Sequence, residues 1–237
     1  MKQFLILFLF LPLMLLAQSN LDKAQKLFEE EKWEESQEIF EKILKAEPTN
    51  VTVLERLGAI AAHRKDWDEA LLYFGKLKKV KPAEADFYYK YGGALGMKAL
   101  EVNKFKALGM IDEIKESFEK AIQLNPKHIE SRWALIELYI KLPGIVGGSQ
   151  SKAIEYSNEL LKISPVDGYL SRGHIEEYFK RYKNAEQYYK KAISIGNSKV
   201  SYQRLANLYK NKMNQPEKAS AILQQLKNNL SIPKKNI

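Results

Sequence analysis

The sequence predicts an all-α chain of about six helix-turn-helix repeats stacked on one another, and three observations carry that expectation. Trp33 and Trp67, Phe40 and Phe74, Ser36 and Ala70, and Pro48 and Pro82 all recur at a spacing of 34 residues. Composition agrees. With 12 Gly and 8 Pro among 237 residues, and Lys, Glu, Leu and Ala abundant, helix is favoured over sheet. Cysteine is absent, which removes disulfides, thiol nucleophiles, Cys-ligated zinc and iron–sulfur clusters, so packing alone must hold the fold.

In chain order, Met1-Lys2 precedes an apolar run from Phe4 to Ala17, interrupted by Pro12. The run is shorter than the about 20 residues a membrane-spanning helix needs. A basic start, a short apolar stretch and a small-residue exit form the pattern of a secretory signal peptide. The expected leader is residues 1–17, with cleavage after Ala17 or Ser19 and an extracytoplasmic destination, periplasmic or secreted. The formal charge of the whole chain is +9, from 38 basic and 29 acidic residues. Export, and the mixing of signs in stretches such as Glu29-Glu30-Glu31-Lys32, argue against nucleic acid as a partner. The most basic stretch, Lys76 to Lys81, reads as a solvated helical face.

The repeat frame covers 18–230, in units of about 18–50, 51–84, 85–128, 129–167, 168–199 and 200–230, with 231–237 as a tail. In the second unit Leu54, Leu57 and Gly58 precede Ala70, Phe74 and Pro82. The third holds Tyr88, Tyr91, Gly92 and Leu95, then Phe118, Ala121 and Pro126; the fourth, Leu135, Tyr139, Ala153, Leu160 and Pro165. The fifth is built on Gly173, Ala185, Tyr189 and Ala192, and the divergent sixth on Leu205, Tyr209, Ala219, Leu223 and Leu226. Small residues let helix axes approach closely, the larger Phe40, Phe74 and Phe118 fill the space beside each crossing, and the prolines end the second helices. This pattern resembles the tetratricopeptide repeat, W-x2-L-G-x2-Y, A-x3-F, P, and the whole chain is similar to exported bacterial members of that family. The resemblance implies a right-handed superhelical solenoid whose first helices line a concave face.

Two irregularities stand out. The third unit carries ten extra residues near Met97 to Gly109, a stretch without a breaker before its final Gly. It is expected to extend the first helix of that unit to about 20 residues. Leu142 to Ser149 joins the two helices of the fourth unit; Gly144 and Gly148 lack the Lys that a phosphate-binding loop requires, so a structural connector is expected.

No catalytic constellation emerges. His63, His128 and His174 lie in three different repeats and form no metal-binding pair, while Asp66 and Asp68 flank Trp67 as expected helix caps. Neither catalytic, cofactor-binding nor metal-ligating residues are assigned. The leading reading is a non-enzymatic scaffold that binds a peptide or protein; the alternative is a small-ligand binder or enzyme using the lengthened third unit and the Gly-rich turn as a pocket. A third reading is a basic protein that binds anionic polymer or lipid headgroups. The resemblance places partner contacts on the first helices: Arg56 and His63; Tyr89 and Lys90; Trp133, Glu137 and Lys141; Arg172, Glu176 and Lys180; and Arg204 with Asn207. The family's carboxylate clamp is not reproduced, because Glu55, Arg56 and Ala59, then Tyr89, Lys90 and Gly93, stand in its places.

Overall fold

A computed structural model describes residues 20–231; the expected leader and residues 232–237 lie outside the described residues. Among the described residues there are twelve α-helices, one short 3-10 turn and no strand. They fall into two compact units that divide between Leu124 and Asn125. The first contains α1 (20–29), α2 (Trp33–Ala46), α3 (Val51–His63), α4 (Trp67–Val80), α5 (Ala85–Glu101) and α6 (Lys104–Leu124). The second contains α7 (Ile129–Lys141), α8 (Gln150–Ile163), α9 (Pro165–Tyr178), α10 (Tyr182–Gly196), α11 (Lys199–Asn211) and α12 (Pro216–Ser231). Within each unit helices pack on their neighbours in chain order, and in the second unit α9 also touches α7 and α11.

The helix crossings follow from the small residues. Ser36, Ala70, Ala153 and Ala185 expose no surface. Across the same crossings, glycine admits an aromatic ring. A Cβ on Gly58 would stand 2.4 Å from the Phe74 ring, and one on Gly173 would stand 2.4 Å from the Tyr189 ring. In the third repeat the small position holds Ile114 instead, and the facing glycine is Gly96, whose added Cβ would sit 4.0 Å from it. Most buried polar groups are paired, the Ser131 hydroxyl and the Gln215 amide oxygen being exceptions among the described residues. Arg132, 5% exposed, donates to Glu159 at 2.8 Å and to the His128 carbonyl at 2.9 Å.

Helix starts are capped by Asn50, Asp66, His128, Ser149 and Ser198, each accepting a backbone N–H three residues on. The turns inside four repeats share another device: Glu31, Lys65, Lys180 and Asn214 all adopt positive φ, between 52° and 60°. For an L-residue with a side chain that conformation costs on the order of 1 kcal/mol relative to glycine. Lys65→Gly should therefore stabilise the protein by about 1 kcal/mol, read as a raised melting temperature. A lowered melting temperature would show that the Lys65 side chain, not its backbone, matters there.

The two repeats of irregular length close differently. At α7–α8, a 3-10 turn (Gly144–Val146) leads to Gly147 at φ +96°. Gly148 follows, and a Cβ there would fall 1.8 Å from the Leu142 carbonyl oxygen. The connector reading holds, with both glycines sterically required. At α5–α6 the expectation needs correction. The first helix reaches 17 residues, not about 20, and the insertion is shared with a second helix of 21 residues. The chain reverses at Val102-Asn103 because the Asn103 side chain accepts from the Lys106 N–H at 3.0 Å and its carbonyl from Ala107 at 2.9 Å. Asp68 is also corrected: Asp66 caps α4, whereas Asp68 pairs with Lys98. Pro165 does not merely end α8, because it is the first residue of α9; after Pro48, Pro82 and Pro126 the next helix begins three residues later.

Candidate partner-binding surface

In the first unit the named residues contact one another's neighbours. Arg56 lies over the Phe28 ring at 4.8 Å, and His63 stacks on Trp33 at 4.6 Å. Tyr89 packs against Phe118 at 5.9 Å, and Lys90 makes an ion pair with Glu55, joining α5 to α3. Ala59 and Gly93, one residue beyond the crossing glycines, leave that stretch smooth; a Cβ on Gly93 would meet nothing within 4 Å.

In the second unit α7 and α9 bring several named groups together. Trp133 is half-buried, donating from its indole to Asp167 at 3.1 Å, with its ring 6.1 Å from His174. It therefore packs between neighbouring repeats. Glu137 sits between His174 Nε2 at 2.5 Å and Lys141 Nζ at 3.0 Å. Burial works against its charge, but the contacts with His174 and Lys141 overcome that and hold its pKa down at about 2. The carboxylate is ionised throughout the physiological range.

Of the fifth-repeat assignments, Arg172 and Glu176 are corrected, whereas Lys180 stays beside the face. Glu176 is 7% exposed, accepting from Arg181 at 2.6 and 3.0 Å and from Asn184 at 3.1 Å; the Arg181 hydrogen bond lowers its pKa. It pins the α9–α10 turn. Arg172 donates to Asn158 of α8 at 2.9 Å and lies over Tyr188 of α10, on the side of the second helices. Lys180 lies in the turn, beyond the end of α9. The physical reason is Pro165: Arg172, Glu176 and Lys180 stand at the spacing from it that Trp133, Glu137 and Lys141 have from Pro126, but the helix after Pro165 starts on the proline itself. The crossing glycine gives the true register. Gly173 meets Tyr189 as Gly58 meets Phe74, so His174, Glu177 and Tyr178 continue the face that Glu137 and Lys141 begin. Arg204 and Asn207 are exposed on α11.

Around that face His174, Glu177, Tyr178, Lys180, Tyr182 and Lys212 line a depression. Tyr178 is 43% exposed, and Glu177 accepts from the Tyr189 hydroxyl at 2.8 Å. Burial pushes the Tyr189 phenol well above its ordinary pKa, so it stays a donor. Among the described residues no group of three or more His, Asp or Glu side chains is gathered to hold a metal ion. No helix among them is long and apolar enough to cross a membrane.

Residues 21–79, 105–128 and 166–196 match the tetratricopeptide repeat. The chain is a tetratricopeptide repeat protein. Over 105 residues it is 28% identical to the RNA polymerase-associated protein CTR9 of Caenorhabditis elegans, a match covering 44% of this chain and 8% of that protein. Its fold is similar to that of a thermophilic tetratricopeptide repeat protein of Thermus thermophilus, with a TM-score of 0.60 at 15% identity, covering 88% of this chain and 99% of that one. A tetratricopeptide repeat protein of Parabacteroides merdae gives a TM-score of 0.63 at 17% identity, covering 90% and 79%. Tetratricopeptide repeats support a protein-interaction scaffold, and within this repeat protein His174, Tyr178 and Lys212 are surface residues absent from the positions that the resemblance implies. Gly173 was the signal that finds two of them; Lys212, past the end of α11, has no sequence signal.

Proposed function

We propose that the protein is a non-enzymatic scaffold that docks a peptide or protein segment on the α7–α9–α11 face of its second unit, outside the cytoplasm. The exposed Tyr178 ring, set among His174, Lys180 and Lys212 in one depression, carries this reading. Aromatic groups in such settings supply most of the energy at protein interfaces, and cations at the rim select the partner's charge. The titratable groups there are committed to structure, His174 to Glu137 and Glu177 to Tyr189, which favours binding over acid–base chemistry. Lys2 followed by the Phe4–Ala17 run supports the compartment.

One experiment in the native host tests both parts: crosslinking in the extracytoplasmic fraction, with intact mass measured on the recovered chain. A Tyr178→Ala, Lys212→Glu variant should capture its partner at least about tenfold less while keeping wild-type helicity. Undiminished capture would overturn the surface. A mass retaining Met1 to Leu16 would overturn the compartment.

A further inference from the structure

The lengthened α5–α6 hairpin ends in a cluster of large apolar side chains left in water. Leu100 is 79% exposed and Phe105 88%, with Met97 and Leu108 behind them at 43% and 45%. Leu100 and Phe105 stand two residues either side of the Val102-Asn103 reversal, so the most exposed pair sits at the end of the hairpin and not along one flank. Stability does not favour this arrangement. Nor does it favour Lys104 and Lys106 in the first turn of α6, where the positive end of the helix dipole repels cations and where no acidic residue stands. Neither lysine makes an ion pair among the described residues, and both flank Phe105. Two carboxylates at that end of α5 and the start of α4 are engaged: Glu101 accepts from the Trp67 indole at 2.8 Å, and Asp68 pairs with Lys98. Those two contacts also tie the end of α5, just before the reversal, to α4.

We propose that this tip is a wedge that seats in the headgroup layer of an anionic phospholipid bilayer. Two exposed apolar groups flanked by free lysines match a surface that is negatively charged outside and apolar a few ångströms below. An end-on knob suits a deformable layer, whereas a second copy of the chain would need a broad complementary face. The overall charge of +9 acts in the same direction.

The absence of cysteine permits a site-specific test. Gly109→Cys near the tip and Gly144→Cys in the second unit each add a side chain where nothing lies within 4 Å, and each is labelled with an environment-sensitive fluorophore in the full chain. With vesicles of phosphatidylglycerol in phosphatidylcholine, the label at 109 should brighten and shift to the blue while that at 144 does not. Adding Leu100→Glu and Phe105→Glu should weaken the vesicle-dependent signal at 109 by at least about tenfold. Adding Lys104→Gln and Lys106→Gln should weaken it about tenfold, as should raised salt. Circular dichroism checks that every variant keeps its fold. The proposal is overturned if the chain ignores the vesicles, if it binds with the label at 109 unchanged, or if neutral phosphatidylcholine vesicles serve equally well. A signal at 109 that rises with protein concentration in the absence of lipid would also overturn it, assigning the tip to a second copy.

Discussion

Ala70→Arg should unfold the first unit. Ala70 exposes no surface and lies among Phe40, Leu57, Phe74 and Leu77, in a crossing with no space for a guanidinium and no carboxylate to receive it. Burying an unpaired charge and forcing two helices apart costs about 4 kcal/mol or more, against a total stability of about 5–15 kcal/mol for a domain. Thermal and urea unfolding followed by circular dichroism should lose the part of the transition that belongs to α1–α6. A melting curve within error of the wild type would show that α3 and α4 do not cross at Ala70.

Gly173→Val should cost about 2–3 kcal/mol, enough to lower the melting temperature by roughly 5–10 °C in a chain of this size. The added Cβ would stand 2.4 Å from the Tyr189 ring, which exposes no surface and whose hydroxyl is held by Glu177, so the ring cannot swing aside. Gly93→Ala supplies the opposite sign. It adds a Cβ to a helix interior where nothing lies within 4 Å, and should stabilise by about 0.5–1 kcal/mol through backbone entropy alone. Equal effects from the two substitutions would mean that helix propensity, and not the glycine–ring contact, governs both.

That glycine–ring contact explains why so much of the fold was legible. Gly58 and Phe74 stand as far apart in sequence as Gly173 and Tyr189, so a separation kept inside two of the repeats is that of a physical contact. The prolines mislead where they change role. Pro165 opens α9 instead of preceding it, and Glu176, which the resemblance puts on a binding face, has its carboxylate buried against Arg181. The reversal at Asn103 was hidden for another reason: Met97 to Leu108 contains only residues tolerated in helices, and a capping hydrogen bond accepted by one side chain decides where the chain turns. The role of Trp133 depends on Asp167 in the following repeat, a partner that periodicity in one helix does not reveal.

Packing between helices adjacent in the chain has a consequence for how the protein reaches its native state. Each hairpin closes over a short loop, so little chain entropy is lost before contacts form, and such topologies fold fast. No early helix waits for a distant segment. A polypeptide threaded through a secretion channel, as the proposed leader demands, emerges from its N-terminal end as an extended string. A chain built this way folds pair by pair as it appears, leaving little apolar surface bare for long at the exit.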